Sequence, residues 1–308
     1  MLPDQSGQGQ EGWLSYGCEM KIIGEEMDIE VRSHRLHGQR FGSPSAPLVV
    51  GLHGLSLNMK AFDFVGERLG AGDALQLVAL DLRGRGHSAT TPPGTYGWDS
   101  HALDVLAVAD ALGFERFSLV GQSMGGSVAM KAAEIDGARL DAVVLVDIAG
   151  QVDPGIGPAI AAATAHIDQP YASVESYLDA VKAQGLADPW DEYWDRVYRY
   201  QLVEEATSTG VRSLVDPGAV AEDRAYTQTQ DPYARWRHLT MPTLLVRATR
   251  ELRPGSGFVV PAGDRDRFLR DVPQGAVVEV DANHLTVNTH GDTPAAIGAF
   301  LADVSSHR

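Results

Sequence analysis

FSLVGQSMGGSVAMKAAEI, Phe117–Ile135, is the stretch on which the reading of this chain turns. Phe117–Val120 is a short apolar run of strand length, and the Ala-rich run from Ser127 to Ile135 has helix-forming composition. Between them lie Gly121-Gln122-Ser123-Met124-Gly125 and then Gly126. A strand, a tight turn and a helix, with serine at the apex, is the setting in which G-x-S-x-G presents a nucleophile. The turn predicts a strained backbone at Ser123, and side chains at Gly121 or Gly125 would clash with the flanking strand and helix. Ser123 Oγ would then lie at a helix N-terminus, where the helix dipole favours developing negative charge.

The same rhythm extends to both sides. Pro47–Leu52, Leu75–Leu80, Ala142–Val146, Thr243–Val246 and Ala276–Val280 are further short Val/Leu-rich runs. Continuous apolar runs of this length fit strands covered on both faces, as in a parallel sheet. Asp99–Leu112 and Thr293–Val304 read as helices, the first with Leu103, Leu106 and Ala109 near one face and Gly113 as its stop. Strand–helix alternation predicts an α/β fold with right-handed crossovers. The rhythm fails between about Gly150 and Leu239, which shows helical patterns, no clear strand pattern and many aromatics. That stretch reads as a lid over a pocket. Residues 1–12, rich in Gly, Gln and Ser, read as a loose arm.

The chain has 308 residues, enough for one large α/β domain or two domains. Its 25 Lys+Arg against 41 Asp+Glu give a formal charge of −16, which argues against nucleic acid and anionic membrane as partners. The single cysteine, Cys18, excludes an internal disulfide framework and thiolate-rich zinc sites. No signal peptide or membrane-spanning run is visible, so a cytoplasmic setting is expected.

With these features in place, the chain resembles the α/β-hydrolase superfamily over about residues 20–304. Besides the elbow, four features carry the resemblance: His53-Gly54 after the first central strand, the turn Asp81-Leu82-Arg83-Gly84-Arg85-Gly86-His87-Ser88, Asp147 at the end of the strand after the elbow helix, and Asn283-His284 after the last strand. The resemblance implies an α/β-hydrolase fold, mostly parallel with helices on both faces. Residues 1–150 and 240–308 would form its core, and 151–239 a helical cap inserted after the sixth strand. It implies Ser123 as nucleophile and His284 as general base, and the order Ser, acid, His holds with either candidate acid below. Two carboxylates compete to orient His284: Asp147, 24 residues after the nucleophile and favoured here, and Glu251, where most members carry their acid. Glu251 has Arg247, Arg250 and Arg253 beside it, which predicts surface ion pairing as its other fate. The backbone N–H groups of Leu55 and Met124 are the implied oxyanion donors. Asp81 and Arg83 are expected to lock the turn beneath the site.

Serine at the elbow sets the chain apart from the family's haloalkane dehalogenases and epoxide hydrolases, which carry aspartate there. Ester or lactone hydrolysis through an acyl-enzyme is the leading expectation. The alternatives are amide or C–C bond hydrolysis, cofactor-free perhydrolysis, and a ligand receptor with an intact triad. Neither metal nor nucleotide cofactor is called for by any motif. Trp190, Tyr193, Trp194 and Tyr198 are candidate substrate contacts, and would suit an apolar or aromatic ester or a macrocyclic lactone; the competing expectation for aromatics at helical spacing is packing. His166 and His238 lie in or beside the lid, within reach of a ligand. Homo-oligomerisation stays open.

Overall fold

The computed structural model describes residues 24–72, 74–204 and 210–307. The expected N-terminal arm and Cys18 lie outside the described residues. The chain opens on β1 (Glu25–Val31), β2 (His34–Phe41) and β3 (Leu48–Leu52), followed by α1 (Asp63–Gly70) and β4 (Gln76–Leu80). Next come α2 (Trp98–Ala111), β5 (Phe117–Gln122), α3 (Met124–Asp136) and β6 (Leu140–Val146). The insertion then contributes α4 (Ile156–Thr164), α5 (Val174–Lys182), α6 (Glu192–Tyr200), β7 (Leu202–Glu204), β8 (Val211–Ser213) and α7 (Pro217–Gln228). Finally β9 (Thr243–Ala248), α8 (Ala262–Asp271), β10 (Gly275–Val280) and α9 (Asp292–Ser306) complete the chain.

Eight strands form one sheet in the order β1-β2-β4-β3-β5-β6-β9-β10. From β4 to β10 every neighbouring pair is parallel, and β1 and β2 add an antiparallel edge. The central strands are buried along their whole length because both faces are covered. Alternate residues go to opposite layers. Leu48, Val50, Leu119, Val143 and Leu145 pack with α2, α3 and α8, whereas Val49, Leu77, Val120, Val144 and Val146 pack with α1 and α9.

The fold agrees with the expected architecture, with differences at its margins. The polar strands β1 and β2, helices α1 and α8, and the small antiparallel pair β7–β8 inside the insertion are additions to the sequence reading. On α2 the expected Leu106 and Ala109 are buried, together with Trp98, Ala102 and Val105, whereas Leu103 is exposed. No described helix is long and apolar enough to cross a membrane.

The insertion has its own apolar cluster, centred on Tyr177, Tyr193, Trp194, Val197 and Tyr198. It meets the sheet domain through that cluster and through buried polar seats. Asn58 Nδ2 donates to the Val197 carbonyl (2.8 Å) and to Gln201 Oε1 (3.1 Å). Tyr200 donates its hydroxyl to Asp81 Oδ2 (2.7 Å), and Tyr193 donates to the Ala61 carbonyl (2.6 Å). Asp223 on α7 pairs with Arg85 Nη2 (2.6 Å), with both side chains fully buried.

Candidate active site

β5 ends at Gln122 and α3 begins at Met124, so Ser123 is the single residue between strand and helix. Its backbone lies at φ 53°, ψ −121°, a region that side-chain-bearing residues avoid at a cost of about 1–3 kcal/mol. Two glycines make the turn possible. A Cβ on Gly125 would run into the Leu52 carbonyl, and one on Gly121 into the carbonyl of Gly125. Ser123 N–H donates to the Val146 carbonyl (3.1 Å), which ties the apex to the neighbouring strand.

That neighbouring strand supplies the carboxylate. Asp147 follows β6 directly and also has a positive φ, 48°. Its side chain is buried, and the Ala248 N–H donates to Oδ1 (2.9 Å), leaving Oδ2 to face His284. His284 Nδ1 lies 2.8 Å from Asp147 Oδ2, and His284 Nε2 lies 2.9 Å from Ser123 Oγ. With the Nδ1 proton committed to the carboxylate, Nε2 is the acceptor for the Ser123 hydroxyl. The loop after β10 that carries His284 is shaped by its predecessor: Asn283 Oδ1 accepts from the N–H groups of Leu285 (2.9 Å) and Thr286 (2.8 Å).

Glu251 is elsewhere. It follows β9 by three residues, and its carboxylate accepts from the N–H groups of Gly255 (2.8 Å) and Gly257 (3.1 Å). The structure therefore sets Asp147, not Glu251, against His284. Two of the arginines beside Glu251 have other partners: Arg247 pairs with Glu279 (2.8 Å) and Arg250 with Asp281 (2.7 Å). The reason is local. The Arg253–Gly257 turn curls back over the carboxylate and satisfies it with backbone amides before it can reach the histidine.

Around the serine, the loop after β3 is held by a buried histidine. His53 Nδ1 donates to the Gly54 carbonyl (2.7 Å), and Nε2 accepts the Leu82 N–H (3.1 Å). Burial pushes the His53 pKa down to about 3, against the opposing pull of the Gly54 carbonyl, so the ring is neutral at ordinary pH. Its bond falls on the peptide whose N–H belongs to Leu55. Ile167, Val215 and Val220 of the insertion pack over Leu55, and Ile167 and Val215 also line a cavity of about 300 Å³ with Thr90, Pro170, Arg212 and Asp216.

Three residues beyond the sequence reading stand next to these groups. Gln122 is buried, donates Nε2 to the His284 carbonyl (3.2 Å) and lies so close to Gly54 that a Cβ there would hit its Oε1. Arg85 reaches the Leu55 carbonyl through Nε (3.1 Å), and Asp223 holds Arg85 from the insertion. Gln122 and Arg85 sit inside motifs visible in the sequence, whereas nothing in the sequence marks Asp223.

The aromatic candidates are packed among themselves. Tyr193, Trp194 and Tyr198 are buried in the insertion's cluster, and half-buried Trp190 stacks on Tyr198 at a centroid distance of 5.5 Å. His166 is buried against Tyr177 and Tyr198, which lowers its pKa to about 4 by desolvation, a loss only partly offset by a bond with the Ala163 backbone. His238 is half-buried and accepts from its neighbour Arg237 (3.1 Å). Asp81 and Arg83 do brace the turn. Asp81 accepts from the N–H groups of Met59 (2.8 Å) and His87 (2.9 Å), and Arg83 makes a two-pronged contact with buried Asp104.

Comparison with known proteins agrees with this architecture. Residues 49–298 match the model of a family described as the alpha/beta hydrolase family. An N-formylmaleamate deformylase of Pseudomonas putida is 36% identical over 120 residues, 39% of this chain and 44% of that protein. A serine hydrolase-like protein of Danio rerio is 27% identical across 92% of this chain and 89% of its own length. Among solved structures, an E-2-(acetamidomethylene)succinate hydrolase superposes with a TM-score of 0.79 and 22% identity, covering 91% of this chain and 99% of that one.

Proposed function

The chain belongs to the alpha/beta hydrolase family, and from that premise we propose that it is a serine hydrolase that cleaves a carboxylic ester or lactone through an acyl-enzyme. The observation that carries this reading is the unbroken relay from Asp147 Oδ2 through His284 to Ser123 Oγ, with both links shorter than 3 Å.

The chemistry follows from the geometry. Ser123 Oγ attacks the carbonyl carbon as its proton passes to His284 Nε2, and the imidazolium so formed is compensated by buried Asp147. The oxyanion is received by the N–H groups of Met124, the first residue of α3, and Leu55, in the loop fixed by His53. The alcohol departs with the proton from His284. Water, activated by the same nitrogen, then attacks the acyl-enzyme, and the acid leaves. In this reading residues 151–239 are a cap that covers the serine.

A second reading, amide hydrolysis, draws support from the names of two similar proteins, a deformylase of N-formylmaleamate and a hydrolase of an acetamido-substituted succinate. The same relay would serve it, with His284 protonating a leaving nitrogen. A panel of p-nitrophenyl esters, lactones and N-formyl or N-acetyl compounds of graded size, with Ser123→Ala as the blank, separates the two. Turnover of esters or lactones above all N-acyl compounds supports the first reading; the reverse ranking replaces it with the second. Binding of a ligand with less than one turnover would sink both.

A further inference from the structure

Arg85 lies between Gly84 and Gly86 in the turn Asp81–Ser88, and its side chain is wholly buried. Burying a guanidinium and a carboxylate together carries a desolvation penalty that their mutual attraction does not by itself repay. The pair is therefore best understood by what else it touches. Arg85 Nη1 donates to the Arg83 carbonyl (3.1 Å), Nη2 lies against Asp223 Oδ2 (2.6 Å), and Nε donates to the Leu55 carbonyl (3.1 Å). On the other side of the Leu55 N–H, the Gly54 carbonyl accepts from His53 Nδ1 (2.7 Å) and from the Leu57 N–H (3.2 Å). The Leu55 amide is thus held by fixed carbonyls before and after it.

Asp223 comes from α7 of the insertion. It also accepts from the Gly97 N–H (2.7 Å) and from His101 Nε2 (3.1 Å), and His101 is buried. Burial alone would raise the Asp223 pKa, but the His101 bond, the Arg85 charge and the Gly97 amide together hold it at about 2, so the carboxylate stays charged. One turn earlier on the same face, Val220 packs over Leu55. One helix of the insertion therefore bears on the loop twice, directly through an apolar contact and indirectly through its buried ion pair with Arg85.

We propose that Arg85 is a positioning residue for the oxyanion loop, clamped by Asp223, so that α7 and the Leu55 N–H are fixed relative to each other. The role rests on the serine-hydrolase reading, in which that N–H receives the oxyanion. Asp223 then couples the seating of the insertion to catalytic rate without touching substrate. The clamp acts on the tetrahedral intermediate and not on the ground-state complex, so its loss lowers kcat and leaves KM nearly unchanged.

Arg85→Lys tests this, since lysine keeps the charge opposite Asp223 and loses the Nε donor to Leu55. Active sites are counted with a fluorophosphonate probe, and rates on a p-nitrophenyl ester are expressed per labelled Ser123. A drop of about 10- to 100-fold in kcat is expected, smaller than the loss of a whole oxyanion donor, with KM within about threefold. Asp223→Asn should shift kcat in the same direction. Hydrogen exchange of peptides covering residues 53–58 should accelerate in both variants. Should Arg85→Lys fail to fold, the paired change Arg85→Met with Asp223→Leu removes both charges together and is read the same way. A lowered Tm with unchanged kcat per site and unchanged exchange would overturn the proposal and leave the pair a structural brace. If wild-type protein neither labels at Ser123 nor turns over any substrate, the serine-hydrolase reading fails instead, and exchange at 53–58 still decides whether Arg85 holds the loop.

Discussion

At the ends of β5 and β6, Ser123 and Asp147 both adopt left-handed backbone, an aspartate is buried, and a serine is tied to a histidine from a distant loop. In the insertion, helix α6 buries Tyr193, Trp194, Val197 and Tyr198 on one face, caps its N-terminus with Asp191, and shows no strained residue among those described. The first region departs from local preference where chemistry is proposed; the second follows it. Strain that persists at strand ends while the surrounding sheet is regular marks where function has shaped the backbone. The insertion adds no group to the relay and instead fastens the loops beside it through Asn58, Asp81 and Arg85.

The contrast can be broken most severely at the relay. Ser123→Ala and Asp147→Asn should each reduce ester turnover by on the order of 10⁴-fold, whereas Glu251→Gln should stay within about threefold, in steady-state assays of folded protein. Comparable losses from Glu251→Gln and Asp147→Asn would erase the distinction between the two carboxylates. Next, Trp194→Ala removes a fully buried ring from the insertion's cluster and should cost about 3–5 kcal/mol in denaturant unfolding, with kcat per labelled serine within about tenfold of wild type. A rate collapse as deep as that of Asp147→Asn would show that this cluster is part of the site.

The seam between the regions offers a pH-dependent test. Asp63, the first residue of α1, is buried and its carboxylate oxygens have no hydrogen-bond partner among the described residues; across the seam Arg196 of α6 lies at 4.0 Å. Burial raises its pKa to about 7, against the pull of Lys60 and Arg196. The folded protein thus binds this proton more tightly than the unfolded chain, for which the ordinary value is 3.8. Stability from this group is complete below about pH 4 and is lost as pH rises towards 7. Asp63→Asn should therefore stabilise the protein at pH 8, by on the order of 3 kcal/mol, and flatten the decline between pH 4 and 7. An unchanged pH profile of Tm would remove Asp63 from the account. Smallest of all, Tyr200→Phe removes the hydroxyl that bonds to Asp81 and should cost about 1–2 kcal/mol in urea melts, with KM unmoved.

What was legible in advance follows from the same contrast. β3, β5, β6 and β9 are covered on both faces, so their Val/Leu runs stand out in the sequence. β1 and β2 form an edge with an exposed side, and their charged residues hide the alternation. β7 and β8 are three residues each, too short for any period to show. Within the site, Ser123 and His284 are marked by their position next to strands. The choice between Asp147 and Glu251 is not, because both follow neighbouring strands, and only the curl of the loop after β9 decides which carboxylate is spent on backbone amides. Gln122, Arg85 and Asp223 acquire their contacts from chain segments far apart in sequence, and no local pattern announces them.

The pairing of β6 with β9 spans the whole insertion. Closing a loop of nearly a hundred residues costs only about 2 kcal/mol more entropy than closing one of a dozen, because the cost grows with the logarithm of length. The sheet is therefore almost indifferent to what lies between these strands. Segments of other sizes and shapes could be exchanged there over evolutionary time, and the same hydrolase frame would accept them, provided each newcomer supplied partners for Asn58, Asp81 and Arg85.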